Sequence, residues 1–296
     1  MTLKSFKKQF PGIKEHELLK NHCTLRVGGS ADFFYELTNI EELPTLVSLS
    51  EENRIPYKII GRGTNVLFTD KGFRGLVIKN LTNRIEVTGE EIIADSGVLW
   101  AQIIKVAMDN NLTGSEPLHG IPGTIGAAVY GNAGVPGIET GMLVKSITAF
   151  NVGDGVREIS RDNIAFRYRW SSLQEHREIV MRVILMLKKS GVQKSQELIN
   201  KTNEARRSKQ PTGLSAGSFF KNPSSDKSAG YLIEQVGLKG FKIGDAQISE
   251  KHANFFMNMG KATCAQILEL ADIAKGKVRD RFGIELEMEV KIIGEL

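Results

Sequence analysis

Between Gly120 and Gly134 the chain carries five glycines in fifteen residues, as Gly120-Ile121-Pro122-Gly123-Thr124-Ile125-Gly126-Ala127-Ala128 followed by Gly131-Asn132-Ala133-Gly134. So little side chain in so short a span lets backbone pack closely on a planar or phosphorylated ligand, or on another backbone. A tightly packed helix start after Pro122 is the structural alternative. A second small-residue segment, Gly61-Arg62-Gly63-Thr64-Asn65, directly follows the apolar run Tyr57–Ile60, which reads as a strand. A Gly-rich turn leaving a strand can aim consecutive N–H groups at a phosphate. The turn matches neither GxGxxG nor a Walker sequence, so it names no familiar nucleotide fold, and a plain tight turn is its structural alternative. Two such segments in one chain favour a large nucleotide cofactor.

The rest of the chain narrows the class. At 296 residues it can hold two or three compact units, and 41% apolar with 25% charged residues is ordinary for a globular protein. No window nears the roughly 18 apolar residues of a membrane span. The segment Met1–Gly12 is polar and basic and lacks the apolar core of a signal peptide, so a cytoplasmic location with no membrane association is expected. Cys23 and Cys264 form no CxxC pair and the five histidines form no metal array, so reduced thiols and no metal are expected. The net charge of +5 suits nucleic acid, a nucleotide cofactor or a diphosphate substrate equally. Much of the excess lies in Lys188–Lys209, including Arg206-Arg207-Ser208-Lys209, which by itself reads as a solvated helix face.

Periodicity gives the organisation. Ile40, Leu43, Leu46 and Val47 are spaced as on a helix, Gly75–Lys79 reads as a strand, and Arg84–Asp95 reads as a hairpin. Asp95-Ser96-Gly97 is placed to cap a helix whose stripe is Leu99, Ile103, Val106 and Ala107. Gly153-Asp154-Gly155 signals a hairpin between Val144–Val152 and Val156–Ile159, and Glu178–Leu187 is apolar enough for a strand buried on both faces. A helix over Thr263–Arg281 and an alternating strand over Ile284–Ile293 close an α+β chain with an expected boundary near residue 190.

A third segment is Ser215-Ala216-Gly217-Ser218-Phe219-Phe220-Lys221-Asn222-Pro223. Ser218 is oddly polar for a core strand, although a turn serine would also satisfy the pattern. No histidine lies near it in sequence and GxSxG is absent, so hydrolase chemistry fits poorly.

Taken in order, Gly61–Asn65 with Val66-Leu67, Gly120–Gly126 with Asn132-Ala133-Gly134, Tyr168-Arg169, Gly217–Pro223 and Glu289-Val290…Gly294 resemble the UDP-N-acetylenolpyruvoylglucosamine reductase family. The likeness runs from about His22 to Gly294, and it resembles the shorter form of the enzyme. It implies an FAD domain of the vanillyl-alcohol-oxidase type over 1–190, built of two α+β subdomains (about 20–80 and 81–190), and a substrate domain over 191–296. It also implies NADPH as reductant, and UDP-N-acetylglucosamine enolpyruvate as a substrate reduced for peptidoglycan synthesis. Ser218 then becomes the proton donor, Arg169 the cation facing the substrate carboxylate, and Glu289 a polarising group. FAD falls to Gly61, Arg62, Gly63, Thr64, Asn65, Val66, Gly120, Ile121, Pro122, Gly123, Thr124, Gly126, Ala127, Asn132 and Ala133. Tyr168, Lys209, Asn222 and His252 fall to the substrate, although His252 reads equally as a structural histidine and Glu289 shares its strand face with Glu285 and Glu287.

Two positions depart from the family pattern. Arg167 stands where glycine is usual, and Ala127 replaces the first residue of a usual Gly-Ala pair. An altered turn and an added methyl near the flavin are the respective consequences. The rival readings are an FAD-dependent oxidase of the same fold and a basic nucleic-acid-binding protein. The latter lacks an aromatic-basic binding motif. A monomer or weak oligomer is expected.

Overall fold

In the computed structural model, residue 7, residues 9–189 and residues 195–296 are described in full, and residues 192–194 by backbone alone. The expectation for Met1–Gly12 therefore falls largely outside the described residues, as do residues 190 and 191. The chain divides into two compact units. The first comprises Met1–Ile13, Tyr35–Arg62 and Val77–Arg206, and the second Lys14–Phe34, Gly63–Leu76 and Arg207–Leu296.

The first unit is built on a five-stranded antiparallel sheet in the order Gly155–Ser160, Val144–Asn151, Ile179–Met186, Glu91–Asp95, Ile85–Thr88. Both expected hairpins are present; the apolar run expected to be buried on both faces lies at the centre but buries one face, with Met181, Val183 and Leu185 buried while Arg182 and Ile184 are half-buried and Met186 is exposed. Helices Leu43–Glu52 (α1), Trp100–Asp109 (α2) and Ile125–Tyr130 (α3) lie in this unit, as does Val192–Lys209 (α4) up to Arg206. Helix α2 buries Trp100, Ile103, Ile104 and Ala107 in one core with Ile92, Val183 and Ile147. At about 1.5–3 kcal/mol per fully buried large apolar side chain, that stripe fixes α2 on the sheet.

The expected cap at Asp95-Ser96-Gly97 is corrected. Asp95 ends a strand paired with Arg182, and α2 begins only at Trp100, where the Leu99 N–H donates to the Gln102 side chain at 3.1 Å. Ladder pairing outcompetes a local cap because the strand's N–H and C=O groups are buried and must be satisfied.

Helix α4 corrects the solvated-face reading of Lys188–Lys209 in part. Ser195 and Ile199 are buried, and they lie with Asn203 on one face by the helical repeat, while Arg207, Ser208 and Lys209 are exposed. Because Ile199 belongs to the first unit's core, the chain changes unit at Arg206/Arg207, past the boundary expected near residue 190.

The second unit carries a four-stranded antiparallel sheet in the order Leu214–Ser218, Phe255–Asn258, Ala246–Ile248, Lys242–Ile243. Helices Ala229–Gln235 (α5) and Cys264–Phe282 (α6) share its apolar core. Helix α6 starts where the sequence places it. Thr263 accepts from the Gln266 N–H while the Gln266 side chain accepts from the Thr263 N–H, and Gly283 ends the helix at φ +65°.

The expected strand Ile284–Ile293 is shortened to Lys291–Ile293, which pairs in parallel with Val66–Phe68. Residues 284–290 face the segment Phe219–Lys221, which has already left its own sheet after Ser218. Only scattered bonds form there, such as Glu289 N–H to the Phe219 carbonyl at 2.9 Å. Among the described residues no helix is long and apolar enough to cross a membrane.

Candidate active site

In the first unit the two glycine-rich segments meet. A Cβ on Gly61 would lie 2.6 Å from Thr124 Oγ1 and 2.9 Å from Thr124 Cγ2, so the turn after Tyr57–Ile60 rests directly on the loop 120–126. Within that loop Gly120 and Gly123 adopt φ of +80° and +124°, conformations that L side chains resist. Gly126 is closed off by Ser96, whose Cβ would be 2.5 Å from an added methyl. The glycines thus let the two segments pack closely on each other and on Ser96, and the side-chain-poor cradle they leave is compatible with a flavin nucleotide. The Ile125 and Gly126 N–H groups are committed to the Val98 and Ser96 carbonyls at 2.8 and 2.9 Å, so these two donors stay out of any ligand contact. Pro122 is exposed, Ile121 half-buried, and Ala127 projects from the exposed face of α3. The added methyl at Ala127 therefore meets no packed neighbour inside this unit's core.

A buried polar network that the sequence reading missed backs this cradle. Asn80 donates to Ser96 Oγ at 2.7 Å and accepts from Thr82 Oγ1 at 2.8 Å, while Thr82 Oγ1 accepts from the Gly97 N–H at 3.2 Å. All three side chains are buried. Their spacing carries no periodic signal, because Asn80 and Thr82 meet Ser96 and Gly97 from 16 and 15 residues away.

Tyr168 and Arg169 form the two-residue turn of a hairpin between Phe166-Arg167 and Trp170-Ser171. Arg169 has φ +56°, so strain sits at the candidate carboxylate-binding cation. Its guanidinium lies 5.0 Å from the Tyr168 ring centroid and donates to the Gly134 carbonyl at 3.2 Å. Arg167 resolves the first departure: it sits in the strand, not at the left-handed position, and stacks on Trp170 at 4.7 Å.

Asn132 is fully buried, donating to Glu139 and the Arg167 carbonyl at 2.6 and 2.9 Å and accepting from the Gly141 N–H at 3.0 Å. With its amide spent, its side chain anchors the hairpin. The Ala133 carbonyl is likewise held by Thr140.

The chain passes into the second unit inside the first motif, between Arg62, which is exposed, and Gly63. Gly63 is irreplaceable on geometry: its φ is +67° and a Cβ would strike the His22 carbonyl at 2.2 Å. From here the motif is tied to both candidate catalytic segments of this unit. The Gly63 carbonyl accepts from the Thr24 N–H at 3.0 Å, and Thr24 Oγ1 donates to the Ser215 carbonyl at 2.6 Å. Asn65 Nδ2 donates to the Glu289 carbonyl at 3.4 Å, and the Asn65 carbonyl accepts from Lys291 at 3.1 Å. Thr64, Asn65 and Val66 are half-buried. Thr24 was not singled out from sequence, since a lone threonine there carries no pattern.

Ser218 closes the strand Leu214–Ser218 just after a register shift, with Gly217 at φ +78°. A bulge at that position re-aims the next side chain. The Ser218 hydroxyl is half-buried and uncommitted to any hydrogen bond among the described residues. Glu289 is also half-buried, whereas Glu285 and Glu287 are exposed and Glu287 is ion-paired with Lys221. That difference separates Glu289 from the two glutamates that precede it.

The remaining candidates are placed less pointedly. Asn222 Oδ1 accepts from the Ala229 N–H at 3.1 Å at the start of α5, and Lys209 is exposed at the end of α4. The His252 ring lies under Gly230, and its Nδ1 accepts from the Asn254 N–H at 3.2 Å. Burial, reinforced by the Lys239 charge, pushes its pKa down, so the ring is a neutral acceptor. Cys23 and Cys264 are both buried free thiols.

Residues 31–159 match the family model of an FAD binding domain, and residues 209–293 that of the UDP-N-acetylenolpyruvoylglucosamine reductase C-terminal domain. An FAD binding domain joined to this C-terminal domain defines a two-part flavoprotein oxidoreductase. Whole-chain likeness sharpens the class. UDP-N-acetylenolpyruvoylglucosamine reductase of Caldanaerobacter subterraneus subsp. tengcongensis is 39% identical over 95% of this chain and 93% of its own length. That of Clostridium novyi is 37% identical over 96% and 92%. The crystal structure of the Thermus caldophilus enzyme is 33% identical, with a TM-score of 0.82 over 95% of this chain and 99% of that one. The chain belongs to the UDP-N-acetylenolpyruvoylglucosamine reductase family.

Proposed function

We propose that this chain reduces the enolpyruvyl group of UDP-N-acetylglucosamine enolpyruvate to give UDP-N-acetylmuramate for peptidoglycan synthesis, with NADPH as reductant and Ser218 as proton donor. The observation that carries the residue assignment is the half-buried, uncommitted Ser218 hydroxyl beside a bulge, on a segment hydrogen-bonded to the backbone of half-buried Glu289.

FAD, for which the backbone cradle is suited, supplies the hydride transfer from NADPH to the terminal alkene carbon. In this reading Gly61, Arg62, Gly63, Thr64, Asn65, Val66, Gly120, Ile121, Pro122, Gly123, Thr124, Gly126, Ala127, Asn132 and Ala133 would hold it. The protein's own residues handle charge and protons. Reduction loads negative charge onto the enolpyruvyl carboxylate, and Arg169 pairs with it, since a guanidinium stays charged and matches a planar carboxylate. Loss of one such fixed charge commonly costs about 2.7–4 kcal/mol in barrier. The enolate is basic enough to take a proton at its α-carbon from a serine hydroxyl, and Ser218 donates it. Glu289, polarising the same intermediate, supports that transfer. Tyr168, Lys209, Asn222 and His252 position the nucleotide sugar. We read the enzyme as cytoplasmic, and as a monomer or weak oligomer.

The test is Ser218→Ala under anaerobic conditions. Flavin reduction by NADPH should proceed at the wild-type rate, while reoxidation by the enolpyruvyl substrate should fall by about 10²–10⁴-fold, the usual weight of a positioned proton donor. Normal reoxidation in the variant removes Ser218 from this role. NADPH consumption only in the presence of oxygen would instead favour the oxidase reading.

A further inference from the structure

We propose that helix α4 clamps the glycine-rich loop, with Arg206 a positioning residue that sets the loop for FAD through the Gly120 carbonyl. The inference rests on the reading that the loop 120–126 holds FAD.

Three polar residues on one face of α4 grip consecutive points in the five residues that lead into the loop. Ser195 donates to the buried Glu116 carboxylate. Asn203 Oδ1 bonds the His119 ring at 3.0 Å. Arg206 Nη1 donates to the Gly120 carbonyl at 2.6 Å, and a Cβ on Gly120 would lie 2.9 Å from Arg206 Cδ. The arginine stem therefore lies flat on Gly120, at a residue whose φ of +80° only glycine adopts without strain.

Glu116 is itself fixed, accepting also from Thr113 Oγ1 at 2.6 Å and the Gly114 N–H at 2.7 Å. Burial opposes its charge, but these hydrogen bonds outweigh it and hold its pKa below the usual carboxylate range. Packing alone would need only the apolar Ile199. Instead the helix spends three polar side chains, one of them a guanidinium partly withdrawn from water, on the segment that ends at the cradle. A charge-assisted bond from a partly desolvated donor is stronger than a neutral one, which suits a contact that must hold a conformationally permissive glycine in one conformation.

The assay is FAD release from diluted holoprotein, read as the rise in free flavin fluorescence. Arg206→Met keeps the stem and removes the donors, and FAD Kd should rise about tenfold, equivalent to 1.4 kcal/mol. Arg206→Lys should fall between Arg206→Met and wild type, and Asn203→Ala should raise Kd by about fivefold, or 1 kcal/mol. Gly120→Ala combined with Arg206→Met should be less than additive, because the added methyl displaces the arginine stem and with it the same hydrogen bond that Arg206→Met removes. A general loss of stability would lower the melting temperature in step without this coupling. Wild-type Kd in both Arg206→Met and Asn203→Ala, alongside weakened FAD in Gly61→Ala, overturns the clamp and leaves the cofactor reading intact. Wild-type Kd in Gly61→Ala as well overturns both. If Arg206→Met fails to fold, wild-type Kd in Arg206→Lys and Asn203→Ala is decisive against the clamp.

Discussion

Gly61→Ala is a small change with a large expected effect. The new methyl would sit 2.6 Å from Thr124 Oγ1 and 2.9 Å from Cγ2, whereas ordinary contacts fall at 3.4–4 Å. One of the two segments must therefore yield by several tenths of an ångström. Thr124 cannot swing aside cheaply, because it is buried and its β-branched side chain has few χ1 options. Overpacking of this kind costs about 1–3 kcal/mol. If the strain is released only by opening the cradle, FAD Kd rises by about 5- to 150-fold. Equilibrium dilution of the holoprotein, followed by flavin fluorescence, measures it. The same strain should lower the melting temperature of the FAD-free protein. Thr124→Ala should restore that temperature in the double variant, since only the Thr124 Cβ at 3.3 Å would then remain in the way. Wild-type FAD affinity and melting in Gly61→Ala would refute the claim that the two glycine-rich segments meet, and with it the cradle.

Further expectations follow from single groups. His252 is held neutral by burial, so its folded pKa lies below the ordinary value of about 6.5. Its contribution to stability is complete above that pH and is lost as pH falls through the depressed folded value. Melting scans from neutral to acid pH should show wild type losing more stability than His252→Asn, which keeps an acceptor for the Asn254 N–H; parallel curves would contradict this. Asn80→Ala strands Ser96 and Thr82 in the interior, and chemical denaturation should register a loss of about 1–3 kcal/mol. Asp70 accepts from the Cys264 and Ala265 N–H groups at 2.9 and 3.0 Å at the start of α6, so Asp70→Ala should cost about 0.5–2 kcal/mol by the same measurement. The Cys264 thiol, pushed up to about 12 by burial and then by the Asp70 charge, should titrate lower in that variant.

Several elements were legible because their signals are local. The helix of Thr263, Gln266 and Gly283 announces both its ends through hydrogen bonds that span four residues or fewer. The hairpin around Gly153-Asp154-Gly155 does the same through its turn chemistry. Where the signal was alternation alone it misled: Ile284–Ile293 alternates throughout, yet only Lys291–Ile293 has a regular ladder partner, in Val66–Phe68. The candidate site divides along the same line. Ser218 stood out as a polar residue among aromatics, but the bulge that turns it depends on the register with Phe255. The Asn132 side chain is saturated by Glu139, Arg167 and Gly141, partners that its glycine-rich run does not announce.

The glycine spacing by itself determined that this chain keeps backbone bare at Gly61–Asn65 and Gly120–Gly134, because the absence of a side chain is a property of the residue and needs no partner. That the first of these rests on Thr124 was decided only by tertiary structure. So was the grip of Arg206 on Gly120, which turns part of a charge run into a contact. Residues 86 positions apart meet through folding of the intervening chain, and no local propensity encodes that distance.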